Sequence, residues 1–173
     1  MISQKKLKEL SFDKTNSIVV CDYNNKFIDL DETKGILRRS NLPNSPDMLY
    51  INDNLKEIWF VEFKSSNKKN LDSKKEKIKL KKKIFAGLFL IYEIFCEDNC
   101  KYKDYKKFYF VVYNKQEYLS YEDELLDNFD ENSLRDIEFG LEDIKPQFVE
   151  DVFTENCDSL KELFSKRFKV TFS

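Results

Sequence analysis

The pattern of apolar and polar positions predicts a chain in which strands and helices alternate. Two apolar runs, at positions 48–52 and 57–64, flank a polar turn at Asp53 and Asn54 and predict an antiparallel hairpin. Both faces of the second run are apolar, which is typical of a strand buried inside a layered α/β domain. A third apolar run, at 107–113, predicts another central strand.

Apolar residues recur at helical spacing over 74–97 and predict a long helix. The residues that share one side of it, and that we expect to face the core, are Ile78, Phe85, Leu88, Phe89, Tyr92 and Phe95. Weaker patterns predict helices at 3–10, 31–39, 118–129 and 158–168, and strands at 17–23, 27–31 and 147–153. No linker divides the chain, so we expect one domain over residues 1–173.

The composition excludes several classes of enzyme. The 173 residues include no histidine, which rules out nucleophilic catalysis with a histidine base and zinc sites built on imidazole. The four cysteines form no Cys-x-x-Cys pair, and we interpret them as free or buried thiols in a reducing cytosol. They are Cys21, Cys96, Cys100 and Cys157.

The chain also lacks the usual signals for secretion and membrane insertion. Its N-terminal segment has no apolar stretch of signal-peptide length. The longest apolar run, at 84–92, is too short to span a membrane. We therefore expect a soluble, cytoplasmic protein with no membrane partner.

Charge is distributed unevenly, although the formal net charge is only −2. Residues 68–83 contain nine lysines and two acids, whereas residues 117–158 contain fifteen acids and two basic residues. A lysine-rich stretch suits the phosphate backbone of a nucleic acid, and it equally suits a solvated segment without a ligand. The acidic region is a candidate docking surface for a second copy of the chain, as a homodimer, or for another protein.

Three charged residues at the ends of the predicted hairpin form the best candidate site. Side chains alternate along a strand, so Glu62 and Lys64 point to the same face. The hairpin brings Asp47, at the start of the first strand, beside the end of the second. Two carboxylates with a nearby lysine suit a hard cation and a cationic helper. Other acid-x-Lys triplets occur in the chain, but none of them ends a strand-like run.

The sequence Pro46-Asp47, followed by Glu62-Phe63-Lys64, resembles the signature of the PD-(D/E)xK nuclease superfamily. The resemblance covers residues 46–64 directly and the order of elements over 30–114 loosely. It implies an α/β, restriction-endonuclease-like fold with a mixed central sheet of about four strands flanked by helices.

The same resemblance implies roles for individual residues. Asp47 and Glu62 would be metal ligands, and Lys64 would be the catalytic lysine that positions or activates the attacking water. The backbone carbonyl of Phe63 would be a further ligand, and Glu32 is the candidate for an additional acid from an upstream helix. The metal would be Mg²⁺, with Mn²⁺ able to replace it.

The identity of the additional acid and the branch of the superfamily remain open. Glu9 and Asp31 could take the place of Glu32, and each of the three also fits an ordinary surface acid. One branch of the superfamily carries a Gln-x-x-x-Tyr motif on the following helix, and this chain lacks that glutamine.

From these residues we expect a Mg²⁺-dependent endonuclease or exonuclease that hydrolyses phosphodiester bonds in DNA rather than RNA, in restriction, repair or defence. Lys74, Lys81 and Lys82 are the candidates for binding the nucleic acid. The alternative is a catalytically idle protein on the same fold that docks a protein partner or nucleic acid. A third hypothesis is an α/β module that is not a nuclease.

Overall fold

A mixed sheet of six strands, flanked by helices, forms the centre of the computed structural model. The structure describes residues 2–37, 43–66, 71, 73–95, 102–114 and 139–173. The strands are β1 (Gln4–Lys6), β2 (Phe12–Asp13), β3 (Ile18–Val19), β4 (Lys26–Asp29), β5 (Met48–Asn52), β6 (Glu57–Lys64), β7 (Lys106–Tyr113) and β8 (Asp151–Glu155). The helices are α1 (Leu7–Leu10), α2 (Leu30–Ile36), α3 (Lys74–Phe95) and α4 (Cys157–Phe168), with a short 3₁₀ turn at Glu142–Ile144.

The sheet has the order β1-β4-β5-β6-β7-β8, and β2 pairs with β3 in a separate ribbon. Strands β1, β4, β5 and β6 pair antiparallel, whereas β6, β7 and β8 pair parallel. Helix α3 connects β6 to β7, as a parallel pair requires. The predicted hairpin of β5 and β6 is confirmed, with Met48 opposite Val61 and Asn52 opposite Glu57.

The α/β class is confirmed, but the expected number of strands is wrong, because the sheet has six strands. Part of the difference lies at the N-terminus, where residues 3–10 are predicted as a helix. The structure instead has a strand over Gln4–Lys6, followed by a helix of one turn. Strand β1 is stabilised by pairing with β4, a separate segment of the chain, and the pattern within one segment does not reveal such pairing. The predicted acidic helix at 118–129 lies outside the described residues.

Strand β6 separates two apolar cores. Ile58 and Phe60 point to one face, where α3 packs, and Trp59, Val61 and Phe63 point to the other, where α4 packs. All five side chains are buried, as the sequence predicts for a central strand. Glu62 follows the same alternation and lies on the α3 face.

Helix α3 packs with a different side from the one that the sequence predicts. Four apolar residues of the predicted core stripe are exposed, namely Ile78, Phe85, Phe89 and Tyr92. Among the α3 side chains whose burial the structure describes (74–93), the buried apolar ones are those of Leu80, Ile84, Ala86, Leu90 and Ile91. This amphipathic helix therefore has apolar residues on more than one side, and its packing on the sheet decides which side is buried.

Among the described residues, no helix is long and apolar enough to cross a membrane.

Gly87 allows α3 to lie close to the sheet. A Cβ placed on Gly87 would lie 3.0 Å from two ring atoms of Phe60 and 3.0 Å from Cδ of Pro46. The Phe60 ring is fully buried, so it cannot move aside without disturbing the core. The absence of a side chain at this position therefore allows the helix to lie close to β6 and to the segment that leads into β5.

Helix α4 is attached to the rest of the fold by one covalent and one ionic contact. A disulfide joins Cys21 to Cys157, at the first turn of the helix. In the last turn, Nε of Arg167 donates a hydrogen bond to Oε2 of the buried Glu57 at 3.0 Å. The prediction of free thiols is therefore wrong for this pair, because a separation of 136 residues hides the pairing from spacing rules. Cys96 and Cys100 lie outside the described residues.

The close approach at Gly87 can be tested against a matched glycine. Nothing lies within 4 Å of a Cβ built on Gly35 in α2. Gly35→Ala should therefore raise the free energy of unfolding by about 0.5–1 kcal/mol through helix propensity alone. Gly87→Ala gains the same propensity but overpacks the core, which costs about 1–3 kcal/mol. Urea denaturation should show Gly87→Ala to be the less stable variant by that amount, and equal effects would contradict the observed packing.

Candidate functional site

The site is built at the point where β5 begins and β6 ends. Met48 pairs with Val61, so the preceding residue, Asp47, lies opposite Glu62. The Phe63 N–H donates a hydrogen bond to Oδ2 of Asp47 at 2.8 Å, which fixes this carboxylate against the end of β6. The Glu62 side chain is 1% exposed and that of Asp47 is 22% exposed. Two neighbouring carboxylates are thus largely removed from water.

The ammonium of Lys83 joins these two carboxylates. Its Nζ lies 2.7 Å from both Oε1 and Oε2 of Glu62 and 3.2 Å from Oδ1 of Asp47. Lys83 comes from α3, one turn before Gly87, and its side chain is 17% exposed. Because Gly87 keeps α3 close to the sheet, a lysine on the helix can reach the end of β6.

Lys64 lies in the same cluster and has a partner of its own. Its Nζ is 3.3 Å from Oε1 of Glu62 and 3.3 Å from Oε2 of Glu76, in the first turn of α3. Glu76 also pairs with Lys79. The side chain of Lys64 is therefore held at the edge of the carboxylate pair, while that of Lys83 lies between the two carboxylates.

Burial and mutual repulsion control the electrostatics of this cluster. Burial, together with the negative charge of Glu62, raises the pKa of Asp47 to about 8, although Lys83 and the Phe63 N–H act in the opposite direction. Burial also disfavours the charged form of Lys83, but the carboxylates of Glu62 and Asp47 outweigh it and raise the pKa of Lys83 above its usual range. The two carboxylates therefore need either a cation beside them or a proton on Asp47.

The donor set suits a hard divalent cation. Asp47 and Glu62 supply carboxylate oxygens, which Mg²⁺ and Mn²⁺ prefer, and the position that bridges them already attracts a positive charge, that of Lys83. Within the part of the chain that the structure describes, no group of three or more His, Cys, Asp or Glu side chains is placed to hold a metal. A metal here would have two carboxylate ligands and would need backbone oxygen or water to complete its shell.

The upstream acids make contacts elsewhere in the structure. Glu32 accepts a hydrogen bond from the Ser3 hydroxyl at 2.7 Å and lies 3.1 Å from Nζ of Lys5 on β1. Glu9 accepts a hydrogen bond from the Lys6 N–H. Asp31 accepts one from the hydroxyl of Ser45 at 2.7 Å, in the segment that leads into β5. Each of the three acids thus has a structural partner of its own.

The three lysines predicted to bind nucleic acid lie on the surface of α3. Lys74 and Lys82 are exposed, and Nζ of Lys81 lies 2.6 Å from Oδ2 of Asp143. At 100° per residue, Lys74 and Lys81 project from the side of the helix opposite to Lys83. The structure therefore brings Asp47, Glu62 and Lys64 together. It places Lys74 and Lys81 on the other side of α3, away from this cluster.

Two members of the cluster, Lys83 and Glu76, are missing from the sequence prediction. Both positions belong to the side of α3 that faces the sheet, at helical spacing from Leu80, Ile84 and Gly87. Charged residues on a buried side of a helix are rare unless they are paired. The helical spacing of Lys83 and Glu76 from apolar residues could therefore have indicated that both belong to a site. It was hidden because Lys83 is also the last lysine of the basic run.

Comparisons of the chain with protein-family models, with curated proteins and with solved structures find no match. The function therefore has to be inferred from the chemistry of the cluster itself.

Proposed function

We propose that this protein is a metal-dependent nuclease with a restriction-endonuclease-like fold that hydrolyses phosphodiester bonds in DNA. The observation that carries the proposal is the convergence of the Asp47 and Glu62 carboxylates with the Lys64 ammonium at one end of the β5–β6 ladder. Carboxylates that hold a hard cation, beside a lysine, are suited to phosphodiester hydrolysis at a site without histidine.

Each residue has a role in this proposal. Asp47 and Glu62 would hold Mg²⁺ or Mn²⁺, with the backbone carbonyl of Phe63 as a further ligand. A bound divalent cation would neutralise charge on the scissile phosphate and lower the pKa of an attacking water. Lys64, held by Glu76, would orient the water or stabilise the charge that develops on the phosphate. Glu32 would contribute only after leaving Ser3 and Lys5.

The buried residue Tyr109, which lies near the two carboxylates, is uncharged. Tyr109 on β7 is fully buried, and its hydroxyl donates to the carbonyl of Leu80 at 3.5 Å. Burial and the charges of Glu62 and Asp47 raise the pKa of Tyr109 well above its ordinary value, so it stays a neutral phenol. A water-poor wall on one side strengthens the electrostatic interactions of the cluster with a bound phosphate.

A second candidate is a catalytically idle protein on the same fold that binds a protein partner or nucleic acid. One observation favours it, namely that the Lys83 ammonium occupies the position between both carboxylates. A docking role for the acidic region 117–158 stays a prediction, since 115–138 lie outside the described residues. In the remainder, Asp143 pairs with Lys81 and Asp151 with Lys145.

Activity assays separate the two candidates. We expect Mg²⁺-dependent cleavage of plasmid, linear or branched DNA, with RNA as a comparison substrate, and no cleavage in EDTA. Glu62→Gln removes a charged ligand and Lys64→Met removes the lysine charge, so each should lower the rate at least about a hundredfold. Lys166→Met, at an exposed position of α4, serves as the charge-matched control and should retain activity.

Retention of full activity in either site variant, or cleavage by wild type without a divalent ion, would contradict the proposal. Circular dichroism of each variant checks that the loss is not caused by unfolding. Absence of cleavage on all four substrates, with nucleic-acid binding intact, would favour the idle candidate.

The surface lysines can be tested separately from the chemistry. Replacing Lys74, Lys81 and Lys82 together with Gln should weaken DNA binding and reduce the slope of log affinity against log salt by about one for each phosphate that the variant no longer neutralises. Fluorescence anisotropy over a salt series measures that slope. An unchanged slope would contradict the prediction and show that DNA does not lie along this side of α3.

A further inference from the structure

Lys83 holds the position in which a cation shared by Asp47 and Glu62 would bind. Three carboxylate oxygens lie within 3.2 Å of its Nζ, two from Glu62 and one from Asp47. The two contacts to Glu62, at 2.7 Å, have the length of charge-assisted hydrogen bonds, and with the longer contact to Asp47 they leave the ammonium between the carboxylates. An ammonium and a divalent ion cannot share that space, because like charges at such separations repel strongly in a site of low dielectric constant.

We propose that Lys83 is a displaceable counter-ion of the metal site. Its ammonium offsets the negative charge of the Asp47–Glu62 pair when no metal is bound, and it leaves when a divalent cation binds. This inference rests on the proposed function for the identity of the metal site, and it adds a regulatory residue that controls how tightly the metal is held.

The surroundings of the two lysines explain why Lys83, and not Lys64, is the one that leaves. Lys64 keeps Glu76 as a partner when the charge of Glu62 is taken up by a metal. Lys83 contacts only the two carboxylates that would become ligands, among the contacts that the structure records for it. Its flexible four-carbon chain, anchored on α3, allows the ammonium to swing to water without moving the helix.

The inference has a measurable consequence for metal affinity. The site is competent for metal only in the fraction of molecules from which the ammonium has withdrawn, so the apparent affinity is reduced by that fraction. Lys83→Met removes the competitor, and we expect Mn²⁺ to bind at least about tenfold more tightly than to wild type in isothermal titration calorimetry. Lys75→Met, at an exposed position of the same helix, loses the same charge and should bind Mn²⁺ as wild type does.

A second measurement uses the wild-type protein, so that it holds even if Lys83→Met fails to fold. Reductive methylation followed by peptide mass spectrometry reports how accessible each lysine is. In EDTA the Lys83 amine should react slowly, and in saturating Mn²⁺ it should react at least about tenfold faster, because the ammonium has left the carboxylates. The reaction of Lys75 should be the same in both conditions.

The two measurements overturn the inference if Mn²⁺ binds wild type and Lys83→Met equally, if it binds the variant less tightly, or if the methylation of Lys83 does not change. Binding of Mn²⁺ to neither protein overturns it as well. Tighter binding to the variant without cleavage of any nucleic acid would support the counter-ion and contradict the nuclease. Cleavage by wild type with equal affinities would support the nuclease and contradict the counter-ion.

Discussion

The carboxylates of Asp47 and Glu62 lie side by side at the end of the β5–β6 ladder, and that of Glu62 is almost fully removed from water. Two like charges in this environment destabilise the fold unless a cation lies beside them or one of them takes up a proton. Lys83 supplies the cation in the structure. The position of α3, the only described element that offers an ammonium to both carboxylates, is therefore constrained by charge as well as by apolar packing.

This constraint explains the local sequence of α3. Glu76, Leu80, Lys83, Ile84 and Gly87 follow one another at helical spacing on the side that faces the sheet. Gly87 brings the helix close to Phe60 and Pro46, and Lys83, one turn earlier, then reaches the end of β6. The close packing and the ion pair support each other, since a larger residue at Gly87 would lift the lysine away from its partners.

The parts of the fold that could be predicted from sequence are those in which a local pattern carries the information. Strand β6 is apolar on both faces, and the turn before it sets the register that places Asp47 opposite Glu62. Strand β1 and the Cys21–Cys157 bond depend on contacts between segments far apart in the chain, which no local pattern contains. The face of α3 was mispredicted because Ile78, Phe85 and Phe89 form an apolar stripe as regular as the buried one.

Physical arguments could have predicted which of the two apolar stripes on α3 is buried. The buried stripe combines small or aliphatic residues with one glutamate and one lysine, and burying a lone lysine costs several kcal/mol, on the order of the stability of a domain. A stripe of that kind is stable only if the sheet beneath it presents carboxylates, and Asp47 and Glu62 are the two that the β5–β6 hairpin places there. The helix and the hairpin therefore have to be interpreted together: the acid-x-Lys triplet identifies the end of β6, and the buried lysine on α3 identifies which face of the helix covers it.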